Sequence, residues 1–142
     1  VAAVPKAGPV NGGSTVYVSG VLHNVFGSGV VGGSTDYRLV EIRNVGSSTW
    51  TSPKAWLVLD TGGAAVAIAV ADSGTARALD FVYSVDPAGL SYSTPTDSAG
   101  GLSLPSLAAG QKCLIGVRRT LTGASVDYPD NNTLMVSGTS PV

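Results

Sequence analysis

Glycine and proline interrupt this chain so often that no stretch between them is long enough for a convincing helix. Nineteen Gly and eight Pro are spread over 142 residues, and Ser and Thr fill many of the gaps. The intervals that remain are short and rich in β-branched residues, which is the pattern of strands separated by turns. A chain of this length holds one ordinary domain with enough residues to bury a core. About seven or eight short strands between turn signals predict a single all-β antiparallel sandwich, jelly-roll or Ig-like, without substantial helix.

The expected organisation follows the breaks. Residues 1–14 (VAAVPKAGPVNGGS) carry two prolines and three glycines and read as an extended N-terminal arm, leaving 15–142 as the sandwich domain. Strands are expected at 15–22, 37–44, 56–59, 81–85, 112–119 and 133–137. In 37–44 (YRLVEIRN) Val40 and Ile42 share an apolar face, while Leu39, Glu41 and Arg43 share a mixed one. In 112–119 (KCLIGVRR) Cys113, Ile115 and Val117 alternate with Leu114, Gly116 and Arg118. Residues 64–71 (AAVAIAVA) fit a strand or one short helix, and the flanking Gly pair and Asp72-Ser73-Gly74 favour a strand buried on both faces. Asn44 to Ser48 reads as a turn in which Asn and Gly supply positive φ. The stretch 87–110 is long for a structureless loop, so it predicts short edge strands around 90–92 and 102–104, or a binding loop.

Composition narrows the function classes. Charged residues make up 12% of the chain, with eight Lys/Arg against nine Asp/Glu and a formal charge of −1; soluble proteins average about 25%. That balance carries no nucleic-acid footprint. The longest apolar run, 64–71, is far short of the roughly 20 residues of a spanning helix, and no signal-peptide pattern opens the chain. Without an initiator Met, the chain is expected to have lost one or a longer leader. A single Cys excludes an intrachain disulfide, and its place in an apolar alternation predicts a buried free thiol at Cys113.

Each candidate for chemistry has a plainer reading. His23, the one histidine, could join Ser19 and Asp36 in a nucleophile relay, but no serine sits in a G-x-S-x-G elbow. Asp127, Asp130, Asn131 and Asn132 supply oxygen ligands of the calcium type, yet without EF-hand spacing, and such residues also build turns. Asn131-Asn132-Thr133 matches a glycosylation sequon. Arg38, Arg43, Arg118 and Arg119 could form a basic strip, but strand alternation splits Arg118 from Arg119; ion pairs to Glu41 and nearby acids are the expected use. Trp50, Trp56, Tyr17 and Tyr92 could stack on sugars, or plug the core. The reading is therefore non-catalytic, with no cofactor and no metal. Low charge and a near-neutral surface favour association with other protein, and a Pro/Gly arm can order on a neighbour.

A stretch from Leu104-Pro105-Ser106-Leu107-Ala108-Ala109-Gly110-Gln111 through Ile115-Gly116-Val117-Arg118-Arg119-Thr120 resembles small virion proteins of tailed bacteriophages. The polar turn Asp127-Tyr128-Pro129-Asp130-Asn131-Asn132 and the final Thr133-Leu134-Met135-Val136 continue the pattern, and the stretch from Tyr37 to Trp50 and Ala55-Trp56-Leu57 are similar to it upstream. The resemblance implies a capsid decoration, or cement, protein: a homo-oligomer, dimer or trimer, on the outside of the phage head. Such a protein bridges major capsid protein subunits and contacts neither nucleic acid nor membrane. Loop position places candidate partner-binding anchors at Val4, Val10, Leu90, Tyr92 and Leu102. The alternatives are a tail or head-fibre component, and a bacterial surface or secreted Ig-like module that binds carbohydrate through Trp50 or Trp56.

Overall fold

The structure, a computed structural model, describes residues 3–9, 16–17, 35–58, 65–120 and 133–139. Their strands are β1 (Ala3–Pro9), β2 (Val16–Tyr17), β3 (Thr35–Asn44), β4 (Thr51–Val58), β5 (Ala65–Val70), β6 (Arg77–Ala78), β7 (Leu102–Ser103), β8 (Gln111–Thr120) and β9 (Thr133–Thr139). The helical elements among them are two 3-10 turns, Asp72–Gly74 and Pro87–Gly89. Every pairing is antiparallel. One sheet has the order β2-β1-β3-β8-β5, with β6 continuing the line of β5 along β8; the other has the order β7-β4-β9. The chain is an all-β antiparallel sandwich, as the spacing of its breaks predicts.

The core lies between the sheets. Val40 and Ile42 of β3, Cys113, Ile115 and Val117 of β8, and Val66 and Ile68 of β5 meet Ala55 and Leu57 of β4 and Leu134 of β9. Each fully buried Leu, Ile or Val contributes roughly 1.5–3 kcal/mol of transfer free energy. The alternation in β3 is as expected: Arg38, Val40, Ile42 and Asn44 are buried, and the residues between them are half-buried. β5 is buried on both faces from Val66 to Ala69, which also matches expectation.

β8 departs from simple alternation, because Lys112 to Val117 are all buried. Its outward residues are covered by the chain that follows β6. Leu90 and Tyr92 lie on Gly116, where an added Cβ would stand 2.6 Å from Leu90 Cδ1 and 2.8 Å from the Tyr92 oxygen. Glycine is required there for close approach of the overlying segment, not for an unusual backbone angle.

Residues 87–110 stitch the two sheets together. Ser93 exchanges backbone hydrogen bonds with Ile68 of β5 (2.8 and 2.9 Å), and Leu57 N–H of β4 donates to the Pro95 carbonyl (2.8 Å). Then β7 pairs with Lys54 and Ala55, and Leu107 exchanges two bonds with Trp50. Of the two short strands expected here, the one near 102–104 is present as β7, whereas 90–92 packs over β8 without joining a ladder.

Residues 3–9 of the expected arm are extended and pair with β3 from Ala3↔Asn44 to Pro9↔Arg38 in the larger sheet. Two further expectations are corrected. The turn after β3 does not use positive φ at Asn44 or Gly46. The buried Asn44 amide instead donates to the Ser48 and Leu107 carbonyls (both 2.8 Å) and its oxygen accepts from Gly46 N–H. Residues 81–85 form no strand, because the sheet edge nearest to them is occupied by β6 and the Phe81 carbonyl is taken by a side chain.

Two predictions follow from this packing. Gly116→Val forces Leu90 and Tyr92 off β8 and lowers unfolding free energy by about 1–3 kcal/mol in urea titration; an unchanged midpoint contradicts the close approach. Burial pushes the Cys113 thiol from 9.0 up to about 12. The unfolded thiol therefore ionises first, so stability is intact below about pH 9 and is lost as pH rises towards 12. Cys113→Ala costs stability at neutral pH yet flattens this alkaline fall, read by denaturation at several pH values.

Candidate functional site

The polar and aromatic groups of the fold converge where β3 ends, β8 begins and β6 pairs beside them. Arg43 is in register with Lys112, Lys112 with Arg77, and Gln111 with Ala78; the Gly110 N–H donates to the Asn44 carbonyl. The chain leaving β6 turns at once, with Phe81 N–H donating to the Ala78 carbonyl, and crosses the outer face of this sheet end.

Lys112 is the unusual group. Its side chain is 2% exposed, a rare state for lysine unless the ammonium is paired. It donates to Glu41 Oε1 at 3.0 Å and to the Phe81 carbonyl at 2.6 Å, and it stands 4.8 Å from the Tyr83 ring centroid. Glu41 also accepts from Arg43 Nε at 2.9 Å, and Arg43 reaches the Leu79 carbonyl at 3.4 Å. Two cations thus hold two carbonyls of the crossing loop, and Glu41 accepts from both cations.

A second clamp comes from the β5–β6 connection. Asp72, Ser73 and Gly74 all have left-handed φ, between 51° and 64°, and for the two non-glycines such geometry costs on the order of 1–3 kcal/mol each. Asp72 receives Arg77 Nε at 2.7 Å and its NH2 at 3.2 Å. The same guanidinium lies 4.3 Å from the Phe81 ring centroid, and Phe81 meets Tyr83 edge-to-face at 5.2 Å. The Asp72 hydrogen bond holds Arg77 firmly protonated. Tyr83 Oη is buried without a partner, and burial pushes its ionisation well above the ordinary range, with the Cys113 thiolate that forms at high pH and the Glu41 and Asp72 carboxylates adding to the shift.

This arrangement presents Val82, which is 85% exposed, beside Phe81 at 37%. Val45, Ala108 and Ala109 outside the strands, and Ala78 at the end of β6, are exposed at the same end. Chemically, the site offers apolar contact on a fixed scaffold. The charged side chains of the two clamps, Lys112, Glu41, Arg43, Arg77 and Asp72, are engaged with one another.

The sequence candidates fall in several places. Leu90 and Tyr92 are half-buried over Gly116; Tyr92 Oη donates to the Pro87 carbonyl at 2.7 Å, and burial pushes its pKa up to about 12. Leu102 packs against the core. Val4 sits in β1 opposite Arg43, and Val10 lies outside the described residues. Arg118 extends over the Tyr92 ring at 4.9 Å, Arg43 pairs with Glu41, and Arg119 pairs with Asp36. Arg38 is buried on the opposite face from Arg43, so the four arginines form no common strip. Trp50 is a core residue and Trp56 is half-buried on the other face of β4. His23, Ser19, Asp127, Asp130, Asn131 and Asn132 lie outside the described residues, as does the sequon's Asn pair; the Tyr17 side chain does also. Sequence reasoning missed Lys112, Phe81 and Val82. The missed signal was an apolar run bracketed by Asp80 and Asp86 that has no polar alternation of its own.

Two substitutions in this network carry opposite signs. Lys112→Met leaves the Phe81 carbonyl without its donor and is expected to lower stability by about 2–3 kcal/mol, since Glu41 keeps Arg43. Tyr83→Phe removes a buried unpaired hydroxyl while keeping both ring contacts, and is expected to be neutral or to raise stability by about 1 kcal/mol. Urea denaturation of the two variants checks both; a destabilised Tyr83→Phe contradicts the assignment of Oη as unpartnered.

No known family model matches this chain, and neither a curated protein nor a solved structure matches it.

Proposed function

We propose that the chain is an adhesive virion component, a decoration or cement protein that binds the outside of a phage head and bridges major capsid protein subunits. The observation that carries the adhesive part is the clamped loop: four contacts, from Lys112 to the Phe81 carbonyl and the Tyr83 ring, from Arg43 to the Leu79 carbonyl and from Arg77 to the Phe81 ring, hold a segment whose tip leaves Val82 85% exposed. An apolar side chain held out on a rigid base loses little conformational entropy on docking, which is what a binding anchor needs. The capsid part rests on the C-terminal resemblance and on the low charge of the chain. Many identical sites on a shell turn modest single contacts into firm retention, and each contact is expected to bury on the order of 1,200–2,000 Å².

One observation favours a second reading. Trp56 stands opposite Met135 across β4 and β9, next to the 50%-exposed Val58 two residues on, and an outward Trp on a sheet is a surface on which a sugar ring stacks. That reading makes the chain a carbohydrate-binding surface module.

Co-sedimentation separates them. Mixed with undecorated phage heads, the purified chain is expected to bind saturably, and Trp56→Ala leaves that binding unchanged. Absence of saturable binding to heads, with glycan-array binding abolished by Trp56→Ala, overturns the capsid reading in favour of the second.

A further inference from the structure

We infer that the loop tip docks into a protein surface in which basic side chains rim an apolar pocket. The inference deepens the adhesive reading and rests on it. Between Arg77 and Lys112 the chain contains no Lys or Arg, and its acids are Asp80, Asp86 and Asp97, all exposed. Asp80 and Asp86 bracket the segment that holds Phe81 and Val82, and among the described residues neither takes part in an ion pair. The Asp86 carboxylate retains one local contact, accepting from Ala88 N–H at 3.0 Å.

The nearby cations only partly offset these carboxylates: Arg43, Lys112 and Arg77 carry three positive charges against the four negative ones of Glu41, Asp72, Asp80 and Asp86, a net −1. Arg43 and Lys112 face Glu41, Arg77 faces Asp72, and Lys112 is buried. The end therefore offers an apolar projection flanked by two acidic groups that have no ion-pair partner among the described residues. An apolar pocket desolvates its surroundings on closing, so a neutral or acidic rim leaves Asp80 and Asp86 uncompensated, while a basic rim pairs them.

Charge also decides among occupants. A two-fold contact between copies of this same end sets like against like and brings the carboxylates of one copy towards those of the other. Polyanionic nucleic acid and anionic lipid are repelled by the same groups. A basic protein surface is the occupant that satisfies both the apolar tip and its flanks.

The test uses the full chain, isotope-labelled, with a synthetic peptide of alternating Lys and Leu as probe and an all-Lys peptide of equal length as control. Amide shifts confined to residues 78–86 are expected with the Lys/Leu peptide, weaker with all-Lys, and reduced in high salt. Val82→Ser abolishes them. The Asp80→Asn, Asp86→Asn double variant, which keeps an acceptor for Ala88, weakens binding about fivefold. Shifts that are absent, that map elsewhere, that survive Val82→Ser, or that titrate with unchanged affinity in the double aspartate variant overturn the inference, whatever the capsid result. Peptide binding at 78–86 without head binding sinks the capsid reading instead and leaves this inference standing.

Discussion

The buried ammonium of Lys112 sets the shape of the end of this sandwich. A lysine side chain that is removed from water must fill its donor positions or lose several kcal/mol of solvation. Here the Glu41 carboxylate and the Phe81 carbonyl fill two of them, and the face of the Tyr83 ring lies over the nitrogen. The carbonyl does not come from β3, which is paired on both sides, or from Ala78 of β6, whose carbonyl accepts from Phe81 N–H. The loop after β6 must therefore fold back over the sheet, and its side chains are aimed by that requirement. Val82 is exposed because its neighbour's carbonyl is needed inside.

The same logic of local cost and remote compensation recurs in the surrounding chain. The left-handed Asp72-Ser73-Gly74 turn is unfavourable for two of its residues, but it brings the Asp72 carboxylate to Arg77, and Arg77 to the Phe81 ring. Farther along, the 87–110 segment is poor in apolar residues and makes up for this with backbone bonds to both sheets, at Ile68, Leu57 and Trp50. Its Leu90 and Tyr92 close the outer face of β8 over Gly116. The larger sheet thus has a second, thinner apolar layer outside the main core, and the loop grows from the edge of that layer.

Much of the fold was legible in the sequence. The period-two patterns of 37–44 and 112–119 are carried by Val and Ile at alternate positions, and β sterics leave such residues few other places to go. Residues 64–71 were readable as doubly buried because small and branched apolar residues run without interruption. What was not legible depends on contacts distant in sequence. Phe81 to Val85 has strand composition, yet Lys112, 31 residues beyond Phe81, claims the Phe81 carbonyl. Lys112 only opens the 112–119 pattern, and nothing local marks it as buried. Leu90 and Tyr92 read as loop anchors because the glycine that receives them lies in another strand. The loop tip was hidden by the same misreading that made 81–85 a strand.

Contacts to Lys112, Arg43 and Arg77 hold residues 79–84 as firmly as the strands beneath them. Backbone amide order parameters from nitrogen-15 relaxation measure this directly. Values near about 0.85 for Leu79 to Ser84, matching the strands, are the predicted result; values below about 0.6, with the β8 strand still rigid, contradict a loop clamped by Lys112.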